Sequence, residues 1–190
     1  MIRRYSYRAG LGLAGLLFMA SQPATDAEPN APAPLPTVYT DFSGAWKLDA
    51  EASRSEALDK IMEIQGANSF QRSLANRNVV HQTIRQQSNA VLCVTVRSAF
   101  QDRTETQYLD GRLVVATNRM GKAIETHAVW VQDGKGIETK ANVETAAKEP
   151  ATLVATRTLT ADRKTMNLTA ELIVNTNAPI KAVRVFHREE

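Results

Sequence analysis

Short runs in which polar and apolar residues alternate, each ended by turn-forming residues, occupy most of the chain after Asn78. Thr and Val are frequent in these runs, as expected for strands with one buried face, and pairs such as Asp110-Gly111 and Asp133-Gly134 mark turns between them. The pattern predicts nine strands, at 79–87, 90–100, 103–109, 112–118, 123–132, 136–146, 151–161, 165–175 and 179–188. Connections this short imply antiparallel neighbours in an up-and-down order, and closure of so long a meander into a barrel removes its exposed edges.

A tenth strand and a helical segment precede these runs. The strand is predicted at 42–48, and Ser53 with Glu56 three residues later forms a capping-box pattern for a helix that ends at Gly66. A second short helix is predicted at 69–75. The apolar residues that we expect to pack these helices onto the barrel are Leu58, Ile61, Met62, Phe70 and Leu74. The sequence therefore predicts an all-β fold, a ten-stranded antiparallel up-and-down β-barrel capped by a short helix-turn-helix after strand 1.

The first 37 residues differ in composition from the rest of the chain. Three arginines precede an uncharged apolar run at 9–20, and Thr25-Asp26-Ala27 offers a small-x-small cleavage pattern. The run is shorter than the ~20 residues that span a bilayer as a helix, so 1–27 is interpreted as a signal peptide or membrane anchor, with an Arg-rich transit peptide as the alternative. Four prolines predict a semi-rigid linker at 28–37. We expect 38–190 to form the barrel domain of an exported protein, secreted or periplasmic, or anchored through residues 9–20 if the leader is uncleaved.

Charge, cysteine and motif content argue against several function classes. The net charge is only +3 and basic residues are mixed with acidic ones, so nucleic-acid binding is not expected. Cys93 is the single cysteine, which precludes an intrachain disulfide, and we expect it to pack on the outer face rather than act as a nucleophile. The histidines lie far apart, and the chain has no nucleophile elbow, phosphate-binding loop or dinucleotide fingerprint. We therefore predict no catalytic residue, cofactor or metal site, and a protein that is not an enzyme.

Three segments, in order along the chain, carry a resemblance to a known family. Residues 42–48 closely resemble the pattern F-x-G-x-W-K-L, residues 98–105 resemble S-T-F-K-N-T-E-I with one residue extra, and residues 183–188 are similar to T-R-V-Y-x-R. Together with the helix pair after the first strand, they resemble the intracellular lipid-binding protein family, the fatty-acid-binding and retinoid-binding branch of the calycins. The resemblance extends over about 41–188 and implies a barrel that holds a small hydrophobic ligand.

The resemblance also implies a head-group site inside the barrel. In that family two arginines and a tyrosine hold the carboxylate of a bound fatty acid. Arg157 and Arg184 stand at the arginine positions, whereas Phe186 replaces the tyrosine and removes one hydroxyl donor. Phe100 matches an aromatic residue at the mouth of the barrel. The ligand-binding residues are therefore predicted to be Arg157, Arg184, Phe186 and Phe100.

The period of two along the strands supports the two arginines independently of the resemblance. Arg157 shares a face with Leu153 and Ala155, and Arg184 shares one with Ala182 and Phe186. An unpaired charge inside a barrel costs several kcal/mol. Each arginine therefore needs a ligand carboxylate, which it can bind through two parallel hydrogen bonds, or an internal Glu, unless it points outward.

Three functions remain open from the sequence. The first is non-covalent binding and transport of a small hydrophobic ligand, a fatty acid or related amphiphile, by a monomer that contacts a membrane during ligand transfer or through an uncleaved leader. The second is a lipocalin-like enzyme acting on a hydrophobic substrate. The third is a protein-interaction module without a ligand, whose barrel is filled by its own side chains. Pairing of Arg157 with an internal carboxylate would favour the third.

Overall fold

The structure, a computed structural model, describes residues 20–22, 32–99, 101–117 and 123–190. These residues form two helices and eleven strands: β1 (Ala20–Gln22), β2 (Gly44–Asp49), α1 (Glu56–Ile64), α2 (Ser69–Ala75), β3 (Val80–Gln86), β4 (Val91–Ser98), β5 (Gln101–Tyr108), β6 (Val114–Thr117), β7 (Ala123–Val131), β8 (Gly136–Glu144), β9 (Pro150–Leu159), β10 (Thr165–Val174) and β11 (Ile180–Arg188). Strands β2 to β11 are the ten predicted strands, with ends within a few residues of those expected. β1 is an additional three-residue strand from the leader region.

The ten strands curl into one antiparallel sheet. Neighbours along the chain are neighbours in the sheet from β6 to β11 and from β2 to β5, and β11 pairs with β2. The ends of this sheet are β5 and β6, and they come together: β5 contacts β7, while β1 pairs with β6 and also contacts β5. The predicted up-and-down barrel with two helices after its first strand is thus confirmed.

Alternate side chains along each strand face the barrel interior. On β4 the buried residues are Leu92, Val94 and Val96, whereas Cys93 is half-buried on the outer face, as predicted. The same period places the buried residues of β10 at every second position. The core is therefore the inner wall of the barrel.

The end of the barrel opposite the helices is closed by aromatic side chains. Trp46 is fully buried and its Nε1 donates to the carbonyl oxygen of Phe42 at 3.1 Å. Trp130 donates from Nε1 to the carbonyl oxygen of Asn89 at 2.6 Å, and its ring centroid lies 6.3 Å from that of Phe42. The tryptophan of the opening motif thus lies at the end of the barrel away from the helices.

The helical cap differs from the sequence prediction in two details. The N-cap of α1 is Ser55, whose side chain accepts a hydrogen bond from the backbone N–H of Leu58, so the assignment of Ser53 was wrong. Ser53 is buried instead, and its Oγ accepts the backbone N–H of Val185 at 2.9 Å. The predicted packing of Phe70 was also wrong, because this side chain on α2 is 73% exposed.

The C-terminal part of the proline-rich segment runs along the closed end of the barrel. The backbone N–H of Ala33 donates to the carbonyl oxygen of Asp110 at 2.7 Å, and that of Thr40 donates to the carbonyl oxygen of Gly134 at 2.8 Å. A Cβ atom at Gly134 would lie 2.4 Å from the carbonyl oxygen of Val38, and its φ is +82°, so this contact requires glycine.

Most of the leader lies outside the described residues, which include only 20–22 of the predicted segment 1–27. The boundaries predicted for the leader, linker and barrel domain remain predictions. Within the described ranges, neither helix has the length and apolar character needed to cross a membrane.

Candidate functional site

Arg157 on β9 and Arg184 on β11 lie in one row across the sheet. Leu168 of β10 is the Cα partner of both, so the two arginines flank it. Two strand spacings separate their Cα atoms by about 10 Å. Only 1% of Arg157 and 4% of Arg184 is exposed. Both side chains therefore face the barrel interior, as the resemblance implied and the period of two had left open.

Arg157 reaches across the interior to β5. Its Nη1 donates to Oε1 of Gln107 at 3.3 Å, and Nε2 of Gln107 donates to Oε1 of Glu105 at 2.7 Å. Nη2 of Arg103 donates to the other carboxyl oxygen of Glu105 at 3.1 Å. These four side chains form a continuous polar network from one wall of the barrel to the other.

Burial dominates the electrostatics of this network. It raises the pKa of Glu105 to about 7, although Arg103, Arg157 and the hydrogen bond from Gln107 all act to lower that pKa. Burial also lowers the pKa of Arg157 to about 10, and the carboxylate of Glu105 offsets part of this effect. Ionisation of Glu105 near neutral pH therefore changes the charge that Arg157 experiences.

Arg184 has a different environment. Its Nε and Nη1 have no hydrogen-bond partner in the described part of the chain, and its guanidinium carbon lies 5.7 Å from the ring centroid of Phe186. Burial lowers the pKa of Arg184 to about 10, with no opposing contribution from a carboxylate. A buried cation without a counter-charge is costly, which makes Arg184 the strongest candidate for binding an anionic group.

Gln82 adds a second polar group of this kind. The residue is fully buried on β3, and neither its Nε2 nor its Oε1 has a hydrogen-bond partner within the described residues. Burying an amide without hydrogen bonds costs free energy. Gln82 is thus a candidate to bind a polar group of a ligand, and the sequence did not single it out.

The structure brings three of the four predicted site residues together inside the barrel. Arg157, Arg184 and Phe186 all line the interior, and Phe186 is fully buried between Met166 and Leu48 of the neighbouring strands. Phe100 lies outside the described residues, so its place at the barrel mouth remains a prediction. The ligand-binding role of all four residues is also still a prediction.

Sequence reasoning missed the polar face of β5. Arg103, Glu105 and Gln107 alternate with Thr104 and Thr106, which fits a strand with charged side chains toward solvent as well as one with charged side chains inside. The alternation itself was the available signal. Only the closure of the barrel shows that this face lies opposite Arg157.

An open hollow lies on the outside of the barrel where α2 meets the ends of β3 and β4. Its volume is about 520 Å³, and its lining includes Leu74, Val79 and Ala99. Ala99 directly precedes Phe100 in the chain. The hollow is therefore at the end of the barrel where the resemblance implies a mouth.

The ten-stranded barrel with a helix pair after its first domain strand has the fold of the fatty-acid-binding proteins. No protein-family model and no curated protein matches the sequence, but solved structures do. A Schistosoma mansoni fatty acid binding protein in complex with arachidonic acid matches with a TM-score of 0.57 and 19% identity, over 78% of this chain and 96% of that chain. The Echinococcus granulosus fatty-acid-binding protein 1 matches with a TM-score of 0.55 and 17% identity, over 78% and 98%.

A third similar structure is As-p18, an extracellular fatty acid binding protein. It matches with a TM-score of 0.53 and 12% identity, over 78% of this chain and 96% of that chain. Identities this low establish the shared fold. The ligand of this chain depends on its own residues.

Proposed function

We propose that this protein binds and transports a small amphiphile with an anionic head group, such as a fatty acid, inside the barrel. The observation that carries the proposal is the buried guanidinium of Arg184, whose Nε and Nη1 have no partner among the described residues. Arg157 on the same row supplies a second buried cation. An anion between them would compensate charge that the barrel now holds in a medium of low polarity.

Binding requires no chemical step. A carboxylate accepts two parallel hydrogen bonds from one guanidinium, while the tail is buried against the apolar inner wall, which includes Val94, Val96 and Leu172. Each buried CH₂ group contributes ~0.8 kcal/mol. The head group thus sets the position of the ligand, and the tail supplies most of the affinity.

The similar structures support this proposal, and they also bear on whether the protein is an enzyme and where it acts. All three are fatty-acid-binding proteins by name, one of them in complex with arachidonic acid, so we propose that this chain is likewise a binding protein and not an enzyme. As-p18 is extracellular, which agrees with the signal-like leader. We therefore propose an exported monomer that contacts a membrane when it transfers its ligand.

The test is native mass spectrometry of the purified protein before and after removal of lipid, followed by titration with a fatty acid. We expect a co-purifying amphiphile, and a loss of affinity of roughly tenfold or more in Arg184→Gln, since a hydrogen bond to a charged group contributes about 1.5–3 kcal/mol. The variant removes an uncompensated buried charge and should therefore fold. Arg85→Gln, an exposed arginine on the outer face of β3, is the matched control. Unchanged affinity in both Arg184→Gln and Arg157→Gln would reject the site.

The network around Arg157 favours a second candidate function. Arg157 donates a hydrogen bond to Gln107, and Gln107 in turn donates one to Glu105. Polar side chains that bond to one another across the interior are expected of a barrel filled by its own side chains. Such a barrel would bind a protein partner through its outer face and no ligand inside. A folded, lipid-free protein that takes up no fatty acid in the titration would support this second function.

A further inference from the structure

The amide of Gln82 on β3 is a buried polar group that the proposed head-group site does not use. Its Cα partners in the sheet are Trp46 on β2 and Val96 on β4. Val80 and Ile84 stand before and after it on the same face of β3. Gln82 itself is 0% exposed, and these four neighbours are at most 1% exposed. The amide is therefore enclosed by apolar side chains.

These neighbours leave the amide unsatisfied. The one polar atom of the Trp46 side chain, Nε1, already donates to the carbonyl oxygen of Phe42 at 3.1 Å. Neither Nε2 nor Oε1 of Gln82 has a hydrogen-bond partner among the described residues. An amide buried without hydrogen bonds costs free energy, and such groups in native proteins are paired with protein atoms, water or a ligand. Gln82 is thus available to a molecule that enters the barrel.

Gln82 and Arg184 line the same inner wall at different levels. Gln82 stands in one row with Trp46 and Arg188, and Arg188 follows Arg184 by four residues on β11. The Cα atoms of Gln82 and Arg184 are thus separated by about 13 Å along the strands and about 10 Å across them. The fully buried Phe186 lies between the two levels. The interior therefore offers two polar sites with an apolar stretch of wall between them.

We propose that the ligand carries a hydroxyl group several carbon atoms from its anionic head group, and that Gln82 binds this hydroxyl while Arg184 binds the head. This inference rests on the proposed function, because it specifies a second group on the same ligand. A hydroxyl group can accept from Nε2 and donate to Oε1, so it matches both unpaired atoms of the amide. A carbonyl or ether oxygen can only accept and would leave Oε1 without a donor.

The experiment measures the affinity of the delipidated full chain for stearate and for stearates that carry one hydroxyl group, either at carbon 2 or at one position between carbons 6 and 12. All ligands share the chain length and the carboxylate, and all are used below micelle-forming concentrations. We expect at least one isomer of the 6-to-12 set to bind roughly tenfold more tightly than stearate, which corresponds to about 1.4 kcal/mol. A site that binds a ligand hydroxyl discriminates against the analogue that lacks it, so 2-hydroxystearate should bind like stearate.

Two variants assign the effect to Gln82. Gln82→Met removes the amide and keeps a similar side-chain volume, so the preference for the hydroxylated ligand should fall to about twofold or less. This variant removes an unsatisfied buried group and should therefore fold and still bind stearate. Thr83→Val is the matched control, because Thr83 is exposed on the outer face of β3, and it should retain the preference of the unmodified protein.

The outcomes separate this inference from the proposed function. If no isomer of the 6-to-12 set binds more tightly than stearate, the inference is overturned and the carrier function stands, with Gln82 bound to ordered water. A preference that persists in Gln82→Met, or a gain confined to 2-hydroxystearate, also overturns the inference. If neither stearate nor any hydroxystearate binds, the proposed function is rejected and the inference with it.

Discussion

The carboxyl group of Glu105 lies between two arginines and yet is harder to ionise than a carboxyl group in water. Opposite charges within a few ångströms normally lower a carboxyl pKa, and Nη2 of Arg103 is 3.1 Å away. Loss of hydration on burial outweighs this attraction and raises the pKa to about 7. The interior of the barrel therefore gains or loses one charge close to neutral pH, at the residue that faces Arg157.

This shift predicts a pH dependence of stability. Because the folded pKa of Glu105 exceeds its unfolded value of 4.5, the contribution of Glu105 to the free energy of unfolding is greatest below pH 4.5 and declines as the pH rises through about 7. The decline amounts to about 3 kcal/mol at 1.36 kcal/mol per pKa unit. We expect Glu105→Gln to abolish it, as measured by urea denaturation across this window.

Glu125→Gln is the matched control. Glu125 is exposed on the outer face of β7, so this substitution should leave the pH profile unchanged. A Glu105→Gln protein whose stability falls over this pH window as steeply as that of the unmodified protein would contradict the assignment.

At the scale of elements, the two helices of the cap differ in how they are held. α1 buries Leu58, Ile61 and Met62 against the barrel. α2 buries no residue and is held by local interactions: the capping box of Asn68 with Gln71, and the ion pair of Arg72 with Asp59 at 3.0 Å. Elements with little buried apolar surface open at low free energy, so we expect α2 to open more readily than α1.

We expect backbone amides of α2 to exchange with solvent faster than those of α1 and β10, as measured by native-state hydrogen exchange. Arg72→Ala should speed exchange in α2 further, because it removes the contact with Asp59 and the hydrogen bond to the carbonyl oxygen of Ala67, with a small effect on global stability. Arg77→Ala, which substitutes an arginine that follows the helix, is the control. Protection of α2 equal to that of β10 would show that the cap is as stable as the barrel.

At the scale of the whole molecule, the barrel depends on contact between its first and last domain strands. Phe186 of β11 lies opposite Leu48 of β2, and Arg188 lies opposite Trp46. These pairs join residues far apart in sequence, so the sheet is complete only when the last strand has been placed. β11 also carries Arg184, so the fold and the proposed site depend on the same strand.

Deletion of residues 180–190 is therefore expected to abolish cooperative unfolding, because it exposes the edges of β2 and β10 and removes Ala182, Arg184 and Phe186 from the core. Differential scanning calorimetry would show the loss of a heat-absorption peak. Deletion of Glu190 alone is the control and should retain the transition. A cooperative transition in the longer deletion would mean that the barrel closes without its last strand.

Local features were predictable because their physical causes are local. Strand positions follow from the period of two and from turn residues. The period of two also showed which residues share a face with Arg157 and Arg184, but both faces are partly apolar, so only the resemblance implied that the two arginines face inward. The start of α1 was misplaced because Ser53 and Ser55 are both good N-cap residues, and the choice between them depends on the hydrogen bond of Ser53 to Val185, which is 132 residues away.

The sequence by itself determined the strands and their antiparallel order, since each follows from neighbours a few residues apart. Which side chains meet inside the barrel was decided only by the tertiary structure. Arg157 and Gln107 are 50 residues apart in the chain, and no local pattern specifies that β5 curls round to face β9. The different environments of Arg157 and Arg184, on which the proposed ligand chemistry depends, arise because closure of the sheet brings Glu105 and Gln107 to one of them and not to the other.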